Sequence, residues 1–278
     1  MDDVFSTAVK NQWRSLIGMV MAEYAIRISK RSLGLLEELL SLSVITGSML
    51  ILRLVTRAPT HHGMPVIPFV ISGMILFWML RTTLFRVASF KTAKGAFRAN
   101  PRVTSLDVLA ARAILNIVFY MMIGFPVFIT FYWLGLSPFM ANPVQVFLLM
   151  LLMGIWGFAL GLCFGALFIY VPFAKMVVAG LMMIAMWASG VMFIWPEAPY
   201  MLRGILIYNP IFHFMELMRT AYFKTYITQM GSWVYVLSTV GVTIALGLML
   251  ERVTRKRAQA STQRQGADED AFDVAAGV

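Results

Sequence analysis

Residues Ser189–Phe223 read SGVMFIWPEAPYMLRGILIYNPIFHFMELMRTAYF and lie between two long apolar runs. Prolines, an Asn-Pro pair and charged side chains interrupt the apolar character, so this is neither an uninterrupted membrane span nor a soluble loop. Such a segment is tolerated at membrane depth only where protein or a water-filled cavity covers its polar groups. The segment therefore indicates a membrane protein with a pathway rather than a simple anchor.

The composition places the chain in the membrane. Of its 278 residues, 60% are hydrophobic and 13% are charged, whereas soluble domains carry about 25% charged residues. The single cysteine, Cys163, excludes an intrachain disulfide framework. Because it lies inside an apolar run, it is interpreted as a buried, inert thiol.

Six apolar runs are candidates for membrane spans, each near the roughly 20 residues that a span needs. They are Leu33–Leu54, Val66–Phe85, Val108–Leu134, Val144–Val171, Met176–Ile194 and Trp233–Leu250. An even number puts both termini on one side, and 18 of the 23 Lys and Arg residues fall on that side. The positive-inside rule makes it the cytoplasm. Most of the net charge of +10 is thus a topology signal, and nucleic-acid binding loses its support.

The two ends of the chain differ from this transmembrane domain, residues 33–251. In residues 1–32, apolar side chains recur at helical spacing with basic ones between them, which predicts an amphipathic helix in the membrane interface. An amphipathic helix packed on soluble protein is the alternative, and Trp13 favours the interface. Residues 252–278 turn polar and then acidic, which predicts a disordered cytoplasmic tail.

Within the opening segment, two short helical pieces replace a span. Asn209 is a good N-cap and Pro210 fits a first helical turn, so a helix over Pro210–Phe223 is expected. Its length of about 20 Å is too short to cross a membrane. Pro196 and Pro199 are expected to end the fifth span before a second short piece, Tyr200–Tyr208. Together the pieces predict a re-entrant hairpin from the outer face, with a folded surface loop as the alternative.

No motif supports catalysis on this chain. The phosphate loop G-x-x-x-x-G-K-[ST] is absent, so the chain does not hydrolyse nucleotide by that route. His213 and Glu216 are three residues apart, yet the zinc-protease motif H-E-x-x-H is missing, and a structural histidine is favoured over a ligand. We therefore assign no catalytic residue, no metal site and no cofactor to this chain.

The connection between the second and third predicted spans is long and basic. It breaks at Asn100-Pro101, and Ser105 is the expected N-cap of the helix that follows. A compact basic helix at the inner face can dock a soluble partner. The alternative is a plain positive-inside loop attracted to anionic lipid.

Three segments carry a resemblance to a known family: ANPRVTSLDVLAARAIL before the third span, SGVMFIWPEAP after the fifth, and LIYNPIFHFMELMRTAYF. With them, about residues 5–255 resemble the permease subunit of ABC-2-type exporters, most closely those that export capsular polysaccharide. The resemblance implies an all-α, multi-pass protein of the cytoplasmic (inner) membrane. It has an interfacial N-terminal helix, six spans, and an outer re-entrant hairpin between spans five and six.

The resemblance also implies partners. The permease forms a homodimer bound to two copies of a separate ATPase, which holds ATP and magnesium. Lipid-linked polysaccharide passes between the protomers, and a double-membrane cell can add a periplasm-spanning export partner. Two alternatives remain: an ABC-2 exporter of another cargo (O-antigen, teichoic acid, lipid or drug), and a membrane-embedded enzyme acting on lipid-linked substrates.

In this family context, three groups of residues receive expected roles. Those that couple to the ATPase are Lys94, Arg98, Asn100, Pro101 and Arg102. Those that receive the lipid-linked end of the substrate at the inner interface are Trp13, Arg14 and Arg27. Those that shape the outer mouth are Trp195, Tyr200, Asn209, His213, Glu216 and Arg219. Glu216 and Arg219 are three residues apart on a helix, so pairing with each other is as strong an interpretation as contact with substrate.

Overall fold

The computed structural model describes residues 13–25, 40, 43–48, 50, 51, 60–89 and 104–275, with side chains as far as residue 254. The helices among these residues are α1 (13–25), α2 (43–48), α3 (Val66–Ala88), α4 (Ser105–Trp133), α5 (Pro143–Tyr170), α6 (Ala174–Ala188), α7 (Tyr200–Leu206), α8 (Pro210–Tyr222) and α9 (Trp233–Ala275). A 3₁₀ turn at Trp195–Glu197 and one small hairpin complete the described part. The predicted helical class is confirmed.

Four helices of the described part are long and apolar enough to cross a membrane. They are α3, α4, α5 and, within α9, Trp233–Thr254. They coincide with the second, third, fourth and sixth predicted spans to within a few residues at each end. Most of the predicted first span, 33–54, lies outside the described residues, as does most of the interfacial segment 1–32.

The fifth predicted span, Met176–Ile194, is too long. The helix here, α6, has 15 residues, which is about 22 Å against a hydrocarbon core of about 30 Å. It ends at Ala188 because Gly190 has a positive φ of 73°, the left-handed conformation that stops many helices. Pro196 and Pro199 follow this stop and do not cause it.

Helix α3 lies at the centre of the bundle. Of the residues in its most apolar stretch, 83% are buried, against 17% for the corresponding stretch of α9. Glycines on α5 allow the close approach: a Cβ at Gly161 would lie 2.5 Å from Val87 Cβ, and one at Gly157 would lie 3.1 Å from the Leu80 carbonyl oxygen. Small residues four apart commonly bring membrane helices together in this way.

A two-stranded hairpin precedes α3. Thr60–His61 pairs antiparallel with Met64–Pro65. The turn residues His62 and Gly63 both have positive φ, 49° and 77°, as a type I′ turn requires. The hairpin lies at the predicted outer end of α3, and Met64 is fully buried where the chain enters that helix.

The disorder predicted for the tail, 252–278, stays a prediction, although the structure has a helical backbone over most of this segment. Helix α9 continues through it to Ala275. Ala, Arg, Gln and Glu have high helix propensity and are frequent beyond Leu250. The helix of the membrane-spanning part therefore continues beyond it without a break.

Candidate functional site

The early end of α6 leaves the carbonyl groups that follow it without helical partners, and Arg219 on α8 donates hydrogen bonds to them. Its Nη1 donates to Phe193 O at 2.7 Å. Its Nη2 donates to Val191 O at 3.2 Å and also to Gly190 O. The guanidinium carbon lies 4.0 Å from the centre of the Phe69 ring on α3. Arg219 therefore holds the non-helical backbone that follows α6.

Glu216 is the acidic centre of the same region. It is fully buried, and Oε1 lies 3.6 Å from Nη1 of Arg219. Oε1 also accepts the backbone N–H of Trp195 at 3.2 Å. Oε2 accepts the Tyr226 hydroxyl at 2.5 Å and the Thr228 hydroxyl at 2.8 Å. The pairing of Glu216 with Arg219 that the sequence left open is present.

We refer to Glu216, Arg219, Tyr226 and Thr228 as the buried polar cluster. It joins the chain before α7 and α8, here called the hairpin helices, to the chain after them. The contacts before them are the carbonyl groups and the Trp195 N–H, and those after them are Tyr226 and Thr228. Burial, together with the hydrogen bond to the Glu216 carboxylate, raises the pKa of the Tyr226 hydroxyl. Tyr226 is thus a neutral donor to Glu216, and the cluster is an internal brace of the hairpin region.

Asn209 and His213 connect the first turn of α8 to neighbouring segments of the chain. The Asn209 side chain accepts the Ile211 N–H at 3.0 Å, as predicted for an N-cap, and its Nδ2 donates to Ser189 Oγ at 2.9 Å. His213 is buried; its Nε2 donates to Ile207 O at 2.8 Å, and its ring lies 4.4 Å from that of Tyr235. Helix α8 begins at Pro210, as the sequence indicated.

The two aromatic residues of the predicted outer mouth, Trp195 and Tyr200, differ in burial. Trp195 packs on Phe212 at 6.1 Å between ring centres, with the Arg203 guanidinium over its ring at 5.5 Å. Tyr200, in contrast, is 88% exposed. Glu216, Arg219 and His213 face the protein interior, whereas Tyr200 is exposed. Contact of any of the six with substrate stays a prediction.

The basic connection lies outside the described residues, and with it Lys94, Arg98, Asn100, Pro101 and Arg102. Its two flanks are described. The flank before the connection ends at Ser89, whose carbonyl oxygen accepts a hydrogen bond of 2.7 Å from Nη1 of Arg112 on α4. The Nε of the same residue donates to Glu23 on α1 at 3.1 Å. Arg112 thus joins three elements: the N-terminal helix, the end of α3 and α4.

After the connection, the N-cap of α4 is Thr104, and the prediction of Ser105 is wrong. The Thr104 hydroxyl accepts the Asp107 N–H at 3.3 Å, while the Asp107 carboxylate accepts the Thr104 N–H at 2.9 Å. This capping box satisfies two N–H groups at the helix start. Ser105 instead donates to Glu251 on α9 at 2.6 Å, and Glu251 is buried.

The residues predicted to receive substrate lie partly in α1. Trp13 is 62% exposed and Arg14 is also exposed, while Arg27 lies outside the described residues. An exposed Trp and Arg at the start of a helix suit a membrane interface. Their role stays a prediction.

Sequence reasoning missed several residues that the structure brings together. Tyr226 and Thr228 lie beyond the segment that drew attention, and nothing in their spacing pointed to Glu216. Arg112 was counted only among the basic residues, and Glu23 and Glu251 were not singled out. Two local signals were available: Thr104-x-x-Asp107 is a capping box, and Gly157-x-x-x-Gly161 is a helix-packing motif. In the part of the chain that the structure describes, no three His, Cys, Asp or Glu side chains are grouped to hold a metal ion.

The sequence of this chain is similar to those of known transport proteins. The polysialic acid transport protein KpsM of Escherichia coli is 28% identical over 244 residues, covering 86% of this chain and 93% of that protein. The capsule polysaccharide export inner-membrane protein CtrC of Neisseria meningitidis serogroup B is 25% identical over 242 residues, covering 85% and 90%. CtrC of serogroup A is 24% identical over 238 residues. The family model for the ABC-2 type transporter matches residues 16–223, most of the chain. The chain therefore belongs to the ABC-2 type transporter family.

Proposed function

We propose that this chain is the transmembrane subunit of an ATP-driven exporter that moves lipid-linked capsular polysaccharide across the cytoplasmic membrane. The observation that carries the proposal is the similarity to KpsM and CtrC, which extends over more than four fifths of this chain and of each relative. The names of both proteins describe transport or export of a polysaccharide. Similarity over a whole transmembrane domain supports a shared type of cargo better than a short motif does.

The energy comes from a separate subunit. Two copies of an ATPase bind ATP with magnesium and dock on a homodimer of this chain, and the permease itself is not an enzyme. The absence of a phosphate loop from the sequence supports this division. The basic connection carries the contact through Lys94, Arg98, Asn100, Pro101 and Arg102. The anchoring of its flanks by Arg112 and Glu251 supports this role, because a firmly held segment transmits movement to the spans.

The chain lies in the inner membrane with six spans and both termini in the cytoplasm. The distribution of Lys and Arg supports this orientation. The N-terminal helix lies in the inner interface, where Trp13, Arg14 and Arg27 receive the lipid-linked end of the substrate. The exposed side chain of Trp13 is compatible with that position.

Helices α7 and α8 form a re-entrant hairpin at the outer mouth of the pathway. Their lengths of 7 and 13 residues support this interpretation, since neither can cross a bilayer. The satisfied carbonyls of Gly190, Val191 and Phe193 support it further, because they remove the cost of irregular backbone at membrane depth. In a double-membrane cell, a periplasm-spanning partner receives the polysaccharide beyond this mouth.

The cargo is tested in the organism that makes this chain. Deletion of the gene should abolish surface polysaccharide and cause the lipid-linked polymer to accumulate inside the cell, and a plasmid copy should restore export. Normal surface polysaccharide in the deletion strain would contradict the proposed cargo and favour an ABC-2 exporter of another lipid or drug.

The coupling role is tested with the purified complex. Arg98→Glu and Arg102→Glu together should prevent co-purification of the ATPase or abolish its stimulation, because the charge reversal repels a docking surface that accepts basic residues. Arg252→Glu, an exposed site on α9, is the matched control and should change neither. Unchanged assembly and unchanged stimulation in the double variant would overturn the coupling assignment.

A further inference from the structure

Arg81 on α3 is a charged residue within a membrane-spanning helix. It lies seven positions before Ala88, the last residue of α3, a distance of about 10 Å along the axis. At its level, Asn116 of α4 binds the hydroxyls of Thr82 and Thr83 at 3.0 and 2.9 Å. Arg112, which contacts the end of α3 at Ser89, is a full turn nearer the predicted inner face. Arg81 therefore lies deeper than the polar layer formed by Arg112.

Among the described residues, Arg81 lacks the hydrogen-bonded partners that the buried arginines Arg112 and Arg219 have. Its Nε is buried without a hydrogen-bond partner, and among the described residues no carboxylate pairs with it. Arg219, in contrast, binds three carbonyl groups and Glu216, and Arg112 binds Glu23 and Ser89. Ionisable residues inside a membrane are costly, so they normally pair with another group or mark a functional site.

The neighbouring polar groups are already occupied. Thr82 Oγ1 donates to Trp78 O at 2.8 Å while it accepts from Asn116. Thr83 Oγ1 donates to Met79 O at 2.6 Å while it accepts from the same amide. Thr82, Thr83 and Asn116 thus join α3 to α4, and none of them has a described hydrogen bond to Arg81.

Two aromatic rings hold the guanidinium group of Arg81 at the level of its own helical turn. Its central carbon lies 4.9 Å from the centre of the Trp78 ring and 5.5 Å from that of Phe85. These residues are one turn before and one turn after Arg81 on the same helix, so the side chain does not extend toward the inner face as a snorkelling arginine does. Ring contacts stabilise the charge but supply no oxygen acceptor, so N–H donors remain available.

We propose that Arg81, held by Trp78 and Phe85, binds the phosphate group of a lipid in the predicted inner half of the membrane. A guanidinium matches the oxygen geometry of phosphate and binds it by charge-assisted hydrogen bonds. An anion at this depth must be attached to an apolar tail, and phosphate is the anionic group that membrane lipids carry. The source is either an anionic phospholipid or a phosphate that links a lipid to an exported chain. The site stands on the geometry of α3 and does not depend on the polysaccharide cargo.

Binding is tested with the purified full-length chain in detergent, titrated with fluorescent short-chain phosphatidylglycerol and, separately, phosphatidylcholine. Arg81→Gln should weaken phosphatidylglycerol binding about tenfold or more, the effect of losing a hydrogen bond to a charged group. The phosphatidylglycerol affinity of Arg81→Lys should lie between those of the parent and Arg81→Gln, because lysine keeps the charge but lacks the planar guanidinium group. Arg252→Gln, on the exposed side of α9, is the matched control and should bind like the parent. Equal phosphatidylglycerol affinity in Arg81→Gln and the parent would overturn the proposal.

A stability measurement separates binding from a structural role. In nanodiscs of phosphatidylcholine alone, Arg81→Gln should unfold at the same or a higher temperature than the parent, because it removes a cation without a protein partner. Added phosphatidylglycerol should raise the Tm of the parent but not that of the variant. A Tm of Arg81→Gln lowered by the same amount in both lipid mixtures would show a structural residue and overturn the proposal.

Native mass spectrometry distinguishes the two sources. The chain is purified from the organism that makes it and from a host without capsule synthesis. A phospholipid retained in both preparations, and lost in Arg81→Gln, supports a phospholipid site. A lipid-linked sugar phosphate retained only in the first, and lost in the variant, supports a substrate site. Retained lipid that is identical in parent and variant contradicts both.

Discussion

Ser105 donates a hydrogen bond of 2.6 Å to Glu251, although 146 residues separate them. Both are buried, with 7% and 1% of their surface exposed. The bond joins the first residue of α4, which follows the basic connection, to the last turn of the membrane-spanning part of α9. Arg112 makes the corresponding contact before the connection, at Ser89. The connection is therefore tied at both flanks to helices that enter the bundle.

Loss of the Ser105–Glu251 bond should weaken coupling. Ser105→Ala removes a donor from a buried carboxylate, which costs about 1–3 kcal/mol of stability. We expect a lower Tm for the purified chain and reduced ATPase stimulation in the complex. Glu251→Gln should give a smaller effect, because an amide oxygen still accepts from Ser105.

The control for this pair is Arg252→Gln, which changes the next, exposed residue. The double variant Ser105→Ala with Glu251→Ala should be less harmful than the sum of the single changes, since the two groups act as a unit. Additive losses would contradict a specific bond between them.

Disruption of the buried polar cluster should destabilise the hairpin region. Glu216→Gln leaves the Arg219 guanidinium without its charge partner, and breaking a buried ion pair costs about 3–5 kcal/mol. Thermal unfolding of the purified chain should show a clear decrease in Tm. Tyr226→Phe, which removes one donor to Glu216, should cost less.

Tyr200→Ala is the matched control for Glu216→Gln, because Tyr200 lies in the same region and is 88% exposed. It should leave Tm nearly unchanged. A Tm of Glu216→Gln equal to that of the parent would show that the cluster does not stabilise the hairpin region.

A larger residue at Gly161 should separate α3 from α5. A Cβ there would lie 2.5 Å from Val87 Cβ and 2.9 Å from Leu84 O. Overpacking of this kind costs about 1–3 kcal/mol or more, so Gly161→Val should lower Tm and yield. Gly241→Ala is the control, because it shows whether substitution of a helical glycine lowers Tm even where there is space for a side chain. No atom lies within 4 Å of the added Cβ at that site, so Tm should remain equal or rise slightly.

Accessibility to a membrane-impermeant thiol reagent should separate Tyr200 from His213. In a Cys163→Ala background, Tyr200→Cys should be labelled from outside the cell, because that position is 88% exposed, whereas His213→Cys, at 4%, should react only after unfolding. Equal rapid labelling of both would contradict the burial of α8. Labelling of Tyr200→Cys only from the cytoplasmic side would reverse the proposed orientation.

Local signals predicted helix α8 well and the fifth span poorly. Asn209-Pro210 marks a helix start through the chemistry of two adjacent residues, and the structure has the start there. The fifth span was extended to Ile194 because residues 189–194 are as apolar as a helix interior. The left-handed conformation of Gly190 ends it instead, and hydropathy does not report on backbone conformation. Ser105 was predicted as the cap of α4, but Thr104 takes that place because Asp107, three residues after it, completes a capping box.

The sequence by itself determined the helical class, four of the membrane-spanning helices and the absence of a phosphate loop, because apolar length, charge and short motifs are properties of neighbouring residues. Tertiary structure decided what the buried charges do. Arg219 reaches carbonyl groups 26 to 29 residues away, and Glu216 collects donors from both sides of the hairpin helices. A buried charge must find its partners in space, and the packing of α3, α6 and α8 sets which groups lie within hydrogen-bonding distance.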